Sequence, residues 1–216
     1  KQYSSRFMLS NPSPISLIGV ACLVWWQGRL VLEVQKPRKW RVDEHGEVHI
    51  GVGCIGGGVD EGEGAVEALQ REAVEEMGCE IELCEATVTY AVGPDCQVGE
   101  VEWQAAGIRP VLVWEACLPG LRPGRCVAVF RGRAAGEPAP GDLPGLLWVT
   151  PEILFKIGDG GLRVGEALKL GAVLKARMTI PDMAWLELVG TPAVIHLLRD
   201  NTDPRLKLAI LKKEAD

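Results

Sequence analysis

The sequence lacks the patterns in which cysteine and histidine usually bind zinc or form disulfide frameworks. No two of its cysteines stand in a CxxC pair, and its three histidines show no HExxH or similar spacing. The seven cysteines are Cys22, Cys54, Cys79, Cys84, Cys96, Cys117 and Cys126. Because their number is odd and three lie in apolar stretches, the pattern favours buried thiols in a reducing compartment.

Long apolar runs and an excess of basic residues are also missing. No apolar run approaches the roughly 18 residues that span a bilayer, and the first residues do not show the basic-then-apolar pattern of a secretion signal. The formal net charge of −6 argues against a nucleic-acid backbone as the main partner, since lysine and arginine drive that binding. We therefore expect a cytoplasmic protein without a membrane or nucleic-acid partner. A bound divalent cation would still let it take a small phosphorylated ligand.

The chain does contain enough apolar sequence for one domain with an extension. It has 216 residues, of which 47% are hydrophobic. A strand–turn–strand pattern surrounds Gln27-Gly28, and a polar stretch precedes it. Further strands are predicted over 80–90, 108–118, 126–131 and 146–149. The later pattern is helical and predicts helices over 164–178, 182–189 and 191–198. This order predicts an α+β fold, with an α/β/α core and a C-terminal helical extension.

One predicted helix carries the most informative pattern of the chain. It runs from Ala65 to Met77, has an apolar stripe at helical spacing and is followed by Gly78 as an end signal. Glu72, Glu75 and Glu76 are related as i, i+3 and i+4, so their carboxylates are expected on one side. A solvated acidic helix face is the simpler interpretation of such a cluster.

The residues around this cluster favour a metal-dependent interpretation. Adjacent carboxylates repel one another unless hard cations such as Mg²⁺ or Mn²⁺ bind them through oxygen. The glycines at 56–58 are expected to form a tight bend or to let backbone N–H groups approach a phosphate. Arg71 is placed to pair with Glu63 or with a ligating carboxylate.

The spacing resembles the Nudix box, Gly-x5-Glu-x7-Arg-Glu-U-x-Glu-Glu-x-Gly-U, where U is a bulky aliphatic residue. All its fixed letters match: Gly57, Glu63, Arg71, Glu72, Glu75, Glu76 and Gly78. The U positions hold Ala73 and Cys79, and Ile55 stands where many members have a proline. A chance match of the fixed letters in one frame is about one in ten million.

The resemblance implies a Nudix-type α/β/α sandwich with a mixed sheet over about 15–157. A short arm at 1–14 would precede it, and a helical extension at 158–216 would pack on it. It also implies that Glu72, Glu75 and Glu76 bind Mg²⁺ or Mn²⁺, that Arg71 and Glu63 support them, and that Gly56, Gly57 and Gly58 contact substrate. Glu72, Glu76 and Arg71 are the expected catalytic residues. A homodimer is a further expectation.

The implied activity is hydrolysis of a pyrophosphate bond in a nucleoside diphosphate linked to another group. ADP-ribose, nucleotide sugars, dinucleoside polyphosphates, coenzyme A and nucleoside triphosphates all fit the box. The identity of the general base stays open. Glu72, Glu76 and residues outside the box are all candidates. Those outside candidates are Glu100, Glu102, Glu115, Glu137 and Asp142. The alternatives are a Nudix module that senses a nucleotide without catalysis, and a regulator in which the extension engages DNA or a protein.

Overall fold

A computed structural model describes residues 16–93, 96–103, 107–116, 125–200 and 204–211. The predicted arm at 1–14 and Cys117 lie outside these residues. Cys22, Cys54 and Cys126 are buried free thiols, as predicted, whereas Cys79 and Cys84 are partly buried and Cys96 is exposed. Within the described part of the chain, no helix is long and apolar enough to cross a membrane.

Strands make up most of the regular structure and join into one mixed sheet. The strands are β1 Ser16–Trp26, β2 Arg29–Val34, β3 Arg41–Val42, β4 Val48–Gly58, β5 Ile81–Cys84, β6 Thr89–Val92, β7 Val98–Val101, β8 Leu112–Glu115, β9 Arg125–Ala134, β10 Gly145–Val149, β11 Leu162–Arg163, β12 Val173–Ala176 and β13 Trp185–Leu188. The helices are α1 Ala65–Met77, α2 Pro151–Gly158, α3 Val164–Lys169, α4 Thr191–Leu197 and α5 Pro204–Leu211, with a 3₁₀ turn at Pro37–Lys39.

The predicted N-terminal hairpin is confirmed. β1 and β2 pair antiparallel through Trp26↔Arg29, and the two turn residues have φ of 47° at Gln27 and 71° at Gly28. Positive φ at both central positions matches the twist of the flanking strands, which is why a glycine suits the second one. β1 also pairs in parallel with β9 and so lies at the centre of the sheet.

Helices cover both faces of the sheet, which confirms the layered α+β architecture. Alternate residues of β1 enter two separate cores because side chains alternate across a strand. Val20 and Cys22 pack with Leu69 and Met77 of α1. Ala21 and Leu23 lie on the opposite face, in a core with residues of α2, α3, α4 and α5. α1 is therefore the main helix that packs on this face of the sheet.

The predicted helices over 164–178 and 182–189 are wrong in part. The first ends at Lys169, and β12 follows and pairs with β10. The second is strand β13, which pairs in parallel with β4 through Leu186↔Ile50. The sequence of β12 and β13 is rich in leucine, alanine, lysine and glutamate, so local propensity favours helix and only pairing selects strand. The segment after 158 thus adds three strands to the main sheet as well as helices.

Candidate active site

Helix α1 forms where the sequence predicts it and ends as expected. Its apolar face buries Ala68, Leu69, Ala73 and Met77 against β1 and β4. At its start, a Glu67 carboxylate oxygen accepts a hydrogen bond from the Gly64 N–H at 2.9 Å. At its end, Gly78 has φ 71° in the left-handed region, where glycine avoids the Cβ penalty. This packing holds Glu72 and Glu76, in its last two turns, close to the sheet.

The last carbonyls of α1 are all satisfied, three of them by one loop. The N–H groups of Ala139, Gly141 and Asp142 donate to the carbonyls of Met77, Glu76 and Glu75 at 2.9–3.0 Å. Gly141 lies so close that a Cβ there would be 2.0 Å from the Glu75 carbonyl oxygen. Orphan carbonyls at a helix end need such partners. The loop that supplies them fixes the backbone of Asp142 beside α1.

Arg71 joins the predicted supporting residues into one cluster. Its Nε donates to Glu63 Oε1 at 3.0 Å, its Nη1 to Glu72 Oε1 at 2.8 Å, and its Nη2 to the Gly58 carbonyl at 3.1 Å. The hydrogen bond from Arg71 is the main reason why the pKa of Glu63 lies below its ordinary value. Such a fork of donors orients Glu72 and ties α1 to the end of β4.

The glycines at 56–58 do not form the predicted bend. They lie in β4, where Gly56, Gly57 and Gly58 pair with Ala21, Val20 and Gly19 of β1. A Cβ on Gly56 would lie 2.2 Å from the Val20 carbonyl oxygen, and one on Gly57 would lie 2.3 Å from the Glu72 carboxyl carbon. Glycine is needed because α1 and β1 approach this strand closely. Ile55 continues the strand opposite Cys22.

Glu76 turns inward rather than joining an exposed acidic face. It is buried, and its Oε2 accepts a hydrogen bond from the Gly56 N–H at 3.0 Å. Burial raises its pKa to about 9, helped by the charges of Glu33, Glu72 and Asp142 and opposed by that hydrogen bond. A carboxyl with this pKa is protonated at neutral pH unless a cation joins it.

The three box glutamates therefore have different environments. The side chain of Glu75 is 53% exposed and that of Glu72 is 17% exposed, whereas Glu76 faces the sheet. Among the described residues, no three acidic, histidine or cysteine side chains already form a metal-binding group. Arg71 holds Glu72, and Gly56 holds Glu76, so the expected ligand set needs side-chain rearrangement. The metal roles of the three residues stay predictions.

Glu33 also belongs to this candidate active site, although the sequence patterns do not place it there. It lies on β2 opposite Gly53, where a Cβ on the glycine would be 2.5 Å from Glu33 Oε1. Burial raises the pKa of Glu33, Lys39 and Lys36 lower it, and Glu72 and Asp142 raise it. The signal available in the sequence is a charged residue within the apolar strand β2. Burying a carboxylate is unfavourable unless it is paired, so such a residue indicates a functional role. We call Glu33, Glu72, Glu76 and Asp142 the carboxylate site.

Of the five outside candidates for the general base, the structure brings Asp142 to this site. The Asp142 carboxylate accepts from Lys36 Nζ at 2.5 Å. Glu137 instead pairs with Lys175 at 2.8 Å. Glu100 lies on β7 at the far edge of the sheet and pairs with Arg205 at 3.0 Å. Glu102 follows β7 and Glu115 ends β8, both on that side of the sheet order.

Solved structures with a similar fold include Nudix hydrolases. A hydrolase of the NUDIX family from Clostridium perfringens is 14% identical, with 66% of this chain and 86% of that chain covered and a TM-score of 0.41. A MutT NUDIX hydrolase from Burkholderia pseudomallei is 21% identical, with 62% and 82% covered and a TM-score of 0.37. The fold resembles that of Nudix hydrolases.

A protein from Deinococcus radiodurans is also similar, at 18% identity, with 88% of each chain covered and a TM-score of 0.42. No protein-family model matches this chain, and no curated protein matches it. The geometry of the carboxylate site, rather than these likenesses, supports the function proposed below.

Proposed function

We propose that the chain is a metal-dependent Nudix hydrolase that cleaves a pyrophosphate bond in a nucleoside diphosphate linked to another group. The observation that carries this proposal is the joint placement of Arg71, Glu63 and Glu72 against the glycines of β4. In a solvated acidic helix face, the glutamates would have no such partners. Here a fixed guanidinium orients Glu72 over the strand, with Glu76 buried beside it.

The donor set of the site fits a hard divalent cation. Glu72, Glu75 and Glu76 would hold Mg²⁺ or Mn²⁺ through carboxylate oxygens, the ligand type these ions prefer. Burial raises the pKa of Glu76, and the negative charges of Glu33, Glu72 and Asp142 raise it further. A bound cation would offset that negative charge. When bound, the metal would balance phosphate charge and lower the pKa of a nearby water.

The residues of the chain then have distinct tasks in an in-line hydrolysis. A water oxygen forms a bond to one phosphorus, the bond from that phosphorus to the bridging oxygen breaks, and a carboxylate accepts the water proton. Arg71 keeps Glu72 in place, and the side-chain-free surface of Gly57 leaves room for that carboxylate. Asp142 joins Glu72 and Glu76 as a candidate for the proton acceptor, because it lies at the same site on a loop anchored to α1.

A substrate panel with matched variants tests the proposal. ADP-ribose, nucleotide sugars, dinucleoside polyphosphates, coenzyme A and nucleoside triphosphates would be incubated with the protein and Mg²⁺ or Mn²⁺, and phosphorylated products counted. We expect turnover of at least one class, and a loss of about 100-fold or more in Glu72→Gln, since the ligand carboxylate is removed. Glu82→Gln is the control, because its carboxylate on β5 pairs with Arg133 at 2.7 Å instead.

Equal turnover in Glu72→Gln and the wild type would refute the assigned role of Glu72. Nucleotide-dependent stabilisation without any product would instead identify a sensing module. The expected homodimer and cytoplasmic location stay predictions that gel filtration with light scattering and localisation of a tagged chain would test.

A further inference from the structure

A cleft of about 490 Å³ opens next to the carboxylate site. Its walls include Lys36, Arg38, Asp142 and Arg177, and Leu143 and Pro144 contribute apolar surface. This volume lies in the range of about 300–1,000 Å³ that small-molecule sites occupy. Because Asp142 belongs to both the cleft and the carboxylate site, a ligand bound across that residue would reach both.

The cleft carries positive charge that the described residues leave uncompensated. Lys36 is paired with Asp142 at 2.5 Å. Neither Arg38 nor Arg177 donates a side-chain hydrogen bond or forms an ion pair with any described residue, although exposed arginines elsewhere do, such as Arg133 with Glu82. In a chain of net charge −6, two such guanidinium groups in one cleft favour an anionic ligand.

Hydrogen bonds hold the backbone that carries both arginines before any ligand binds. Arg38 lies in the 3₁₀ turn, which is closed by hydrogen bonds from Lys39 N to the Lys36 carbonyl at 2.8 Å and from Trp40 N to the Pro37 carbonyl at 3.0 Å. Arg177 follows β12, and its N–H donates to the Pro144 carbonyl at 2.8 Å. Less ordering of the backbone is therefore needed when a ligand binds.

We propose that this cleft binds a phosphate group on the part of the substrate that lies beyond the cleaved anhydride. The inference rests on the proposed function and narrows its substrate class. Such a cleft favours nucleoside diphosphate derivatives in which the half beyond the cleaved anhydride carries a further phosphate. Derivatives that end in a neutral sugar should bind less well. Arginine suits this task because its planar donors match phosphate oxygens in pairs.

Binding of inorganic pyrophosphate in EDTA tests the cleft without any catalysis. The carboxylate site repels an anion when no metal is present, so calorimetry under these conditions reports on the basic cleft. We expect Arg38→Ala/Arg177→Ala to weaken pyrophosphate binding by about tenfold or more, as expected for loss of two charge-assisted contacts. The control is Arg125→Ala/Arg133→Ala, which removes the same charge from β9 and leaves the cleft intact. Equal weakening in both double variants, or none in either, would overturn the proposal.

Steady-state kinetics then test the substrate class. For a substrate with a phosphorylated second half, the cleft variant should show a KM raised about tenfold with kcat little changed, because binding rather than chemistry is affected. For a substrate with a neutral second half, both values should match the wild type. An equal rise of KM for both substrates would contradict the proposed preference for a phosphorylated second half. If no substrate is hydrolysed, the proposed function fails, while the pyrophosphate measurement still decides whether the cleft binds phosphate.

Discussion

Strand β4 supports two groups of acidic side chains that differ in how their charge is compensated. At its start lies the paired corner, which we define as Arg41, Asp43, Glu47, His49, Arg163 and Glu187. His49 Nδ1 lies 2.8 Å from Glu187 and its Nε2 lies 3.2 Å from Asp43, and Arg163 pairs with Glu47. At its other end lies the carboxylate site, where acids face one another.

The pKa shifts of Asp43 and Glu47 in the paired corner are opposite in sign to those of Glu33 and Glu76 in the carboxylate site. In the paired corner, a hydrogen bond from the Glu47 backbone lowers the pKa of Asp43, and one from the Trp185 indole lowers that of Glu47. In the carboxylate site, burial raises the pKa of Glu33 and Glu76. Compensated acids stabilise a fold, whereas buried acids that repel one another cost stability and mark a functional site. Acidic side chains occur in both groups, so the contrast lies in the partners that surround them.

The largest effect should follow from a methyl group placed in the carboxylate site. In Gly57→Ala, the Cβ would lie 2.3 Å from the Glu72 carboxyl carbon, so this flexible side chain must move away. We expect hydrolysis to fall about 100-fold, because small displacements of a positioned group cost that much. The fold should persist, since the atoms displaced are the far end of a side chain. Turnover and thermal unfolding would be measured on the same samples.

Gly58→Ala is the matched control for this substitution. No heavy atom lies within 4 Å of a Cβ at Gly58, and its carbonyl would still accept from Arg71. Its turnover should fall by much less than that of Gly57→Ala, because Glu72 keeps its position. Equal losses in both variants would show that strand distortion, rather than displacement of Glu72, reduces activity.

Glu76→Gln should reduce activity yet stabilise the metal-free protein. The pKa of Glu76 is about 9 in the folded chain against an ordinary value of 4.5. Between these values the unfolded chain ionises more readily, so wild-type stability falls as pH rises from 4.5 towards 9. Glutamine stays neutral and can still accept from the Gly56 N–H. In EDTA at pH 8 we expect a gain of roughly 2–5 kcal/mol in unfolding free energy, the upper value being the limit that the two pKa values set. Urea denaturation would measure it.

This gain should shrink as pH falls towards 4.5 and should vanish below it, where the wild-type carboxyl is protonated in both states. Glu82→Gln, an exposed change outside the site, should show no such pH-dependent gain. A metal-free wild type as stable as Glu76→Gln at pH 8 would show that Glu76 is not under electrostatic strain.

Local patterns in the sequence predicted the parts of the site that lie within one element. Helix α1 and its Gly78 end follow from spacing alone, and so does a pairing of Arg71 with Glu63 or a ligating carboxylate, because these partners are close along the chain. Glu33 could not be placed in this way. It reaches the site because β2 pairs with β4 in a register that sets it over Gly53, and a one-residue shift would turn it to the other face.

Long-range contacts also explain the parts of the fold and of the site that local sequence patterns do not predict. Asp142 was one of five outside candidates, and only the hydrogen bonds between its loop and the end of α1 single it out. The glycines at 56–58 suggest a bend by composition, yet they lie in an extended strand, where Gly56 and Gly57 leave room for β1 and for the Glu72 side chain of α1. Strands β12 and β13 have helical composition, and their pairing with β10 and β4 determines their structure.

A substitution in the paired corner should have a smaller effect on stability, and this effect should decrease rather than increase as pH rises. Hydrogen bonds, first to Asp43 and also to Glu187, raise the pKa of His49 above its ordinary value of 6.5. The stabilisation is therefore fully present below about 6.5 and is lost as pH rises through the raised pKa. His49→Gln should lower the thermal midpoint by a few degrees at pH 6 and by less at pH 9. His45→Gln is the control, because that side chain is 76% exposed. If His49→Gln lowered the midpoint equally at both values, the corner would depend on packing rather than on its charge pairs, and its contrast with the carboxylate site would fail.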